Sequence, residues 1–317
     1  MAASPLEVST RVPATGERAN ATKALVILNR KARHGRADAS SALAHLSRSG
    51  FELIEEQVDR APLLAQAIRR ARGRVNAIIL GGGDGTLTLA ADALVDVQLP
   101  LGILPMGTAN DLARTLGIPA NLVAAAEVIA QRHLKRIDLG WVNGTHFFNV
   151  ATVGLGTGVA RRLNRRGKSR WGVLAYVFAA AQVAMRARPF SAHLVTESET
   201  IRVRTVQVMV GNGRHYGGGM TVDETATIDD RLLHLVSLEV EHWWQLLPLL
   251  PALRRGALGG TRHLRALRGR EFEVRPVKRR RIKVMADGEI AGRTPARFRV
   301  IPQALPVFVP GNDNRTA

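Results

Sequence analysis

The residues best suited to chemistry begin at a glycine-rich turn, GGGDGT over residues 81–86, between the apolar run VNAIIL at 75–80 and a helical pattern over 86–95. Glycines let the backbone approach a ligand closely, and backbone N–H groups at a helix start bind phosphate oxygens. Asp84 adds a carboxylate, which is compatible with a triphosphate mainly if Mg²⁺ bridges the two. Thr86 stands at the helix start, where it caps the helix or touches phosphate. The turn therefore predicts a nucleotide phosphate site, with a plain strand-to-helix connection as the alternative.

A second segment, LPMGTAND over residues 104–111, also follows a strand pattern and opens a helical pattern over 108–116. Its Gly107 and Thr108 are placed to line the nucleotide site, while Asn110 and Asp111 can hold the loop geometry. Alone, the segment predicts only a helix cap. Together with the glycine-rich turn, it predicts the second wall of a crevice at the carboxyl ends of parallel strands, where α/β sheets bind ligands.

Two acidic pairs follow in the second half of the chain. Asp229 and Asp230 end the run TATIDD before a strand pattern, and paired acids in a loop predict a divalent-cation site or a solvated turn. Asp287 and Glu289 flank Gly288 in MADGEIAG. One of these carboxylates can accept a proton from an attacking hydroxyl while the other orients it or a metal. A hairpin turn at Asp287–Gly288 is the alternative.

The elements around these residues fall into two parts. Strand and helix patterns alternate in the first part, which predicts a parallel sheet covered on both faces. Short alternating runs in the second part predict antiparallel strands, interrupted by helical stretches near 169–187 and 242–258. The predicted divisions are an N-terminal tail over 1–20, an α/β domain over 21–137, a mostly β domain over 138–305 and a C-terminal tail over 306–317.

Charge and composition limit the possible partners. The 317 residues include 45 Lys and Arg against 26 Asp and Glu, a net charge of +19. Such a charge favours an anionic membrane or nucleic acid, unless it reflects a general arginine bias. No helix-turn-helix, zinc or aromatic RNA-binding signature is present, so no specific nucleic acid is expected. The absence of cysteine excludes disulfides and thiolate metal sites. Without a signal-peptide or membrane-span pattern, we expect a cytoplasmic protein.

GGGDGT, GTAND, GNG at 211–213 and DGE at 287–289 occur in this order in one family. With them the chain, over about residues 23–305, resembles the diacylglycerol kinase catalytic family, particularly the bacterial soluble lipid kinases related to diacylglycerol and sphingosine kinases. The resemblance implies an NAD-kinase-like α/β domain with a parallel sheet, followed by a mostly antiparallel β-sandwich domain. It also implies ATP and Mg²⁺ in the cleft between them and transfer of phosphate to a lipid hydroxyl.

The same resemblance implies roles for individual residues. The nucleotide would contact Asn29, Gly82, Gly83, Asp84, Gly85, Thr86, Thr88, Gly107 and Thr108. Glu289 would accept the proton, with Asp287 beside it. Asp84 would face the nucleotide's Mg²⁺, and a structural Mg²⁺ would be held by Asp230 with backbone carbonyls near Thr227 and Leu232. The family often has glycine where this chain has Arg231, and a proline after the residue that is Asn29 here.

A lipid kinase must reach the bilayer, and three segments suit that purpose. Trp243 and Trp244 precede the apolar run LLPLLPAL, which can insert at the interface or form a core helix. Two basic runs can meet anionic lipid or be solvated faces: Arg161, Arg162, Arg165, Arg166, Lys168 and Arg170, and Arg275, Lys278, Arg279, Arg280, Arg281 and Lys283. We therefore expect a lipid substrate and peripheral association with an anionic membrane. An NAD kinase and a basic nucleic-acid-binding protein are the alternatives.

Overall fold

A computed structural model gives the architecture of the chain. It describes residues 21–29, 36–58, 61–154, 189–213, 215–216, 220–221, 226–240, 245, 263–278 and 280–311. The predicted N-terminal tail, most of the two predicted helical stretches, the first basic run and the Trp243–Trp244 pair lie outside the described residues.

The first part alternates strands and helices as predicted. Its elements are β1 (Thr22–Leu28), α1 (Arg36–Arg48), β2 (Phe51–Glu55), α2 (Ala61–Arg70), β3 (Ala77–Gly82), α3 (Asp84–Val97), β4 (Leu101–Pro105), α4 (Asp111–Thr115) and α5 (Leu122–Ala130). Neighbouring strands pair in parallel in the order β2-β1-β3-β4. All residues of β3 and β4 are buried, as expected for central strands covered on both faces.

In the second part, the described residues form mainly strands. They are β5 (Leu134–Val142), β6 (Thr145–Phe147), β7 (Val150–Gly154), β8 (Phe190–Val195), β9 (Thr200–Thr205), β10 (Gln207–Gly211), β11 (His215–Tyr216), β12 (Met220–Thr221), β13 (Leu233–Leu238), β14 (Leu264–Gly269), β15 (Glu271–Pro276), β16 (Lys283–Ala286), β17 (Glu289–Arg293) and β18 (Ala296–Phe308). Six of them form an antiparallel sheet in the order β14-β13-β10-β7-β16-β17. The predicted α/β domain followed by an antiparallel β-sandwich is confirmed.

Two strands connect the parts directly. β5 crosses the predicted boundary at residue 137, and β18 pairs antiparallel with β5 and β15 and, through Val307, in parallel with β4. The resulting ten-stranded sheet therefore runs through both parts. The C-terminal tail predicted from residue 306 is wrong for residues 306–308, because buried Val307 and Phe308 complete this sheet and its core.

Two helix starts differ from the sequence prediction, and both differences affect the loops that hold the candidate site. α3 begins at Asp84 rather than at residue 86, so Asp84 lies in its first turn. α4 begins at Asp111 rather than at residue 108, because Asn110 adopts a left-handed conformation with φ 50° that interrupts helical geometry. Among the described residues, no helix is long and apolar enough to span a membrane.

Candidate active site

The glycine-rich loop turns from β3 into α3 at the carboxyl edge of the parallel sheet. Gly83 is the N-cap, and Asp84, Gly85 and Thr86 form the first helical turn. The Asn29 Nδ2 group donates a hydrogen bond of 3.1 Å to Thr86 Oγ1, and the Asn29 backbone N–H donates one of 2.7 Å to the Gly81 carbonyl. The structure therefore brings Asn29, at the end of β1, against the predicted phosphate loop.

Glycine is required in this loop for two different reasons. A Cβ at Gly82 would lie 2.5 Å from Thr86 Oγ1, so the turn has no room for a side chain there. A Cβ at Gly85 would meet no atom of the described residues within 4 Å, and Gly85 is exposed. The space in front of Gly85 is thus open for a ligand to approach backbone N–H groups at the start of α3, the arrangement that binds phosphate.

The second loop packs directly against the first. A Cβ added at Gly107 would lie 2.5 Å from the Gly83 Cα, so the two backbones touch. Asn110 holds this approach: its Oδ1 accepts from the Gly107 N–H at 2.9 Å, and its Nδ2 donates to the Gly107 carbonyl at 3.1 Å. The structure therefore places the two loops predicted to form one crevice side by side.

The two threonines predicted to touch nucleotide occupy different environments. Thr108 is exposed on the second loop, beside Gly107. Thr88 is buried, 8% exposed, and its hydroxyl donates to the Asp84 carbonyl at 2.9 Å within α3. Thr108 is therefore accessible to a nucleotide, whereas the Thr88 hydroxyl already forms a hydrogen bond within α3.

Three carboxylates converge at the loops. Burial raises the pKa of Asp84, and repulsion from Asp111 raises it further despite backbone hydrogen bonds that include one from the Leu112 N–H at 3.3 Å. Burial likewise raises the pKa of Asp287 to about 6, and Asp84 adds to that rise. Asp287 of the DGE segment is therefore within electrostatic range of the glycine-rich loop, about 200 residues earlier in the chain.

This carboxylate cluster fits Mg²⁺ only if substrate phosphates supply further ligands. The described residues contain no group of three or more His, Asp or Glu side chains that would hold a metal ion by themselves. Mg²⁺ is commonly bound by one or two carboxylates together with substrate phosphates. Asp84, whose carboxylate is repelled by Asp111, suits that arrangement because a cation shared with phosphate would relieve the repulsion.

The DGE segment forms the hairpin that the sequence left as an alternative. Asp287 and Gly288 have φ values of 45° and 91° and join β16 to β17. The Asp287 carboxylate accepts backbone N–H groups of Phe148 at 2.6 Å, Asn149 at 3.0 Å and Val150 at 2.9 Å. Asp287 therefore positions the segment between β6 and β7.

Glu289 is the first residue of β17, partly exposed, and pairs across the hairpin with Ala286. It follows directly after the turn whose Asp287 carboxylate is repelled by Asp84. The hairpin therefore places Glu289 close in sequence to Asp287, the carboxylate whose pKa Asp84 helps to raise. Its role as proton acceptor stays a prediction.

A buried network behind the hairpin was missed in the sequence. Asn212 of the GNG segment is 2% exposed, and its Nδ2 donates to the carbonyls of Asp138 at 3.0 Å and Phe148 at 2.9 Å. Asp138, 1% exposed, accepts backbone N–H groups of Arg231 at 2.6 Å and Gln303 at 2.7 Å. The available signal was a carboxylate inside the apolar run IDLGWV, since a buried carboxylate requires partners.

In the predicted structural metal site, the Asp230 carboxylate already takes part in hydrogen bonds within the protein. Asp230 accepts the backbone N–H groups of Leu232 at 2.9 Å and Thr227 at 3.1 Å, and lies 3.0 Å from His234 Nε2. Burial alone would raise the pKa of Asp230, but these hydrogen bonds outweigh it and lower that pKa. Arg231 keeps the left-handed conformation, φ 61°, that glycine would favour. A metal at Asp230 stays a prediction.

The second basic run is exposed where the structure describes it. Lys278, Arg280, Arg281 and Lys283 are exposed, while Arg275 pairs with Glu273 at 2.6 Å. These residues lie between the end of β15 and the start of β16, where Lys283 pairs with Arg293 at the end of the hairpin away from Glu289. The run therefore gives the open end of the β16–β17 hairpin a positive surface.

Comparison with known proteins matches both parts of the chain. The model of the diacylglycerol kinase catalytic domain matches residues 23–142, and that of the YegS C-terminal NAD kinase beta sandwich-like domain matches residues 149–309. The diacylglycerol kinase of Mycobacterium tuberculosis is 33% identical over 303 residues, covering 91% of this chain and 95% of that protein.

Two further relatives agree with these matches. The "probable lipid kinase YegS-like" of Pseudomonas savastanoi pv. phaseolicola is 32% identical over 281 residues, covering 87% of this chain and 90% of that protein. A crystal structure of a diacylglycerol kinase from Bacillus anthracis superposes with a TM-score of 0.75 at 21% identity, covering 91% of this chain and 97% of that chain. The solved structure establishes the likeness of fold.

Proposed function

The chain belongs to the diacylglycerol kinase family of kinases, and on that premise we propose that it transfers the γ-phosphoryl group of ATP to a hydroxyl of a membrane lipid such as diacylglycerol. The observation that carries the proposal is the convergence of the DGE hairpin on the two glycine loops. The charge of Asp84 in the first loop helps to raise the pKa of Asp287 in the hairpin. A phosphate site and a proton acceptor therefore share one neighbourhood, which phosphoryl transfer to a hydroxyl requires.

The two glycine-containing loops would bind the nucleotide. Backbone N–H groups at the start of α3 would receive phosphate oxygens, with Gly85 leaving the approach open. Gly107 and Thr108 would form the opposite wall, and Asn29 would hold Thr86 in place. Mg²⁺ bound with Asp84 would neutralise charge on the transferred group. The protein residues would thus position ATP and exclude other orientations of its phosphates.

The acceptor end belongs to the hairpin. The lipid hydroxyl oxygen forms a bond to the γ-phosphorus, its proton passes to the Glu289 carboxylate, and the bond from the γ-phosphorus to the bridging oxygen breaks, leaving ADP with the electron pair. Asp287 does not exchange this proton. It holds the backbone at residues 148–150 and through it the position of the hairpin.

We further propose that the enzyme works at the cytoplasmic face of an anionic membrane as a peripheral protein. The support is the net charge of +19 and the exposed cations Lys278, Arg280, Arg281 and Lys283 near the hairpin. Each Lys or Arg near an anionic leaflet contributes about 1 kcal/mol to binding.

The test is incubation of the purified protein with γ-labelled ATP, Mg²⁺ and a panel of lipids in mixed micelles, beside NAD. Glu289→Gln is the loss-of-function variant, and Glu271→Gln, on β15 and paired with Arg297, is its matched control. Rapid labelling of a lipid by the unaltered protein and the control, with labelling about 10²–10⁴-fold slower for Glu289→Gln, supports the proposal. Label on NAD alone would assign the protein to the NAD kinases, and salt-dependent nucleic-acid binding without ATP turnover would favour the remaining alternative.

A further inference from the structure

We infer that the outer face of the β16–β17 hairpin docks the protein on an anionic lipid surface, with Ile290 entering the interface beside the Lys283–Arg293 pair. The inference rests on the proposed function, since it assigns the place where that lipid-directed site meets its bilayer. It concerns a surface made by three side chains of the hairpin and is separate from the residues that contact ATP.

Ile290 is the most exposed large apolar side chain among the described residues, at 67%. It lies on β17, which ends the order of the six-stranded sheet. Edge strands of soluble proteins usually avoid exposed apolar side chains, since these invite association. Packing within the described chain does not account for isoleucine here, and transfer to a lipid interface would.

The charged side chains of the hairpin also suit an anionic surface. Lys283 and Arg293 are both exposed and stand directly opposite each other across the two strands. Like charges in such a pair destabilise a hairpin, and neither side chain forms an ion pair with a described residue. Arg293 Nη1 instead donates to the carbonyl of exposed Arg281 at 2.9 Å. An anionic surface would neutralise cations that the fold leaves close together.

The position of this face relative to Glu289 makes docking useful. Ile290 pairs with Met285, whereas Glu289 pairs with buried Ala286. Because successive residues of a strand point to opposite faces, Ile290 and Glu289 are neighbours in sequence but face different sides of the sheet. Docking through Ile290 would therefore hold the strand that carries Glu289 at the membrane surface without covering the Glu289 side chain.

The experiment measures flotation of the full chain with vesicles of phosphatidylcholine, with and without phosphatidylglycerol, in the absence of ATP. The variants are Ile290→Ser and the double variant Lys283→Gln with Arg293→Gln. The matched controls are Ile54→Ser, an exposed isoleucine on edge strand β2, and Arg72→Gln with Arg74→Gln, which removes two exposed charges in the turn after α2. Melting temperature and ATP affinity verify that each variant is folded.

We expect Ile290→Ser to weaken partitioning to anionic vesicles about tenfold and the double variant to weaken it about 25-fold, roughly fivefold for each cation. The controls should partition like the unaltered protein. Equal losses in the controls, unchanged partitioning of the hairpin variants or equal binding to neutral vesicles would overturn the inference. So would a change of oligomeric state on Ile290→Ser without lipid, since the face would then bind a second copy.

A dispersed substrate distinguishes failure of the proposed function from failure of the docking surface. Phosphorylation of a short-chain diacylglycerol below its micelle concentration does not require docking. If the unaltered protein phosphorylates no lipid in any form, the proposed function fails whatever the vesicles show. If it phosphorylates the dispersed substrate and the hairpin variants float normally, the function stands and the docking surface is wrong.

Discussion

Replacing Gly85 by alanine tests whether this glycine is needed for folding or for binding a ligand. Gly85 is the second residue of α3, it is exposed, and an added Cβ would meet no atom within 4 Å in the part of the chain that the structure describes. Its φ also lies outside the left-handed range that favours glycine. The described residues therefore give no reason for glycine at this position, whereas a phosphate approaching the backbone does.

The expected effects on stability and activity have opposite signs. Glycine-to-alanine replacement in a compatible conformation stabilises a protein by about 0.4–1 kcal/mol, because the unfolded chain loses freedom. A methyl group in front of the N–H groups should disrupt at least one hydrogen bond to a charged phosphate, worth about 1.5–3 kcal/mol. Since about 1.4 kcal/mol corresponds to a tenfold change, kcat/KM for ATP should fall roughly 10- to 100-fold.

The contrasting variant is Gly83→Ala in the same loop. Its Cβ would lie 3.0 Å from the Gly107 Cα, so the two loops would have to separate. We expect Gly83→Ala to lower both the melting temperature and kcat/KM, and Gly85→Ala to raise the first while lowering the second. Thermal unfolding and steady-state kinetics with varied ATP measure both quantities. An unchanged kcat/KM for Gly85→Ala would refute phosphate binding at this loop.

Three further predictions concern the hairpin and the network behind it. Glu289→Gln should lower kcat about 10²–10⁴-fold while ATP affinity, measured by calorimetry, stays unchanged; a lost affinity would contradict its assignment to the acceptor side. Because the pKa of Asp287 is raised from 3.8 to about 6, the folded state holds this proton more tightly than the unfolded state. Its stabilising contribution is therefore full below about pH 4 and is lost as the pH rises through 6. Urea unfolding should show the unaltered protein losing stability relative to Asp287→Asn across that window, and parallel pH profiles would refute the shift. Asn212→Ala should lower the free energy of unfolding by about 1–3 kcal/mol, because the carbonyls of Asp138 and Phe148 lose their donor; an unchanged urea midpoint would contradict this.

The loops could be predicted from the sequence because their requirements are local. Glycines between a buried strand and a helix identify the phosphate loop, and the Asn110 side chain that braces Gly107 lies three residues away. Even there, the helix starts were misplaced, since the left-handed Asn110 shortens α4 and Asp84 belongs to the helix itself. Local sequence patterns do not fix where a helical turn begins.

The rest depends on contacts between distant segments. Nothing near Asp287 indicates that its carboxylate binds backbone N–H groups at residues 148–150, which lie 137 to 139 positions earlier. The same is true of Asp138, whose partner Gln303 is 165 residues away. The return of β18 beside β4 was missed for the same reason, because a short apolar run at the end of a chain does not specify the strand with which it pairs.

The most direct test of the central claim follows the γ-phosphate itself. Phosphorus NMR of the protein with ATP, Mg²⁺ and diacylglycerol in mixed micelles resolves ADP, inorganic phosphate and a lipid phosphate monoester in one sample. We predict that the lipid monoester and ADP appear in equal amounts with the unaltered protein, and that both form about 10²–10⁴-fold more slowly with Glu289→Gln. ADP accompanied only by inorganic phosphate, or lipid phosphorylation at an undiminished rate in the variant, would contradict the account.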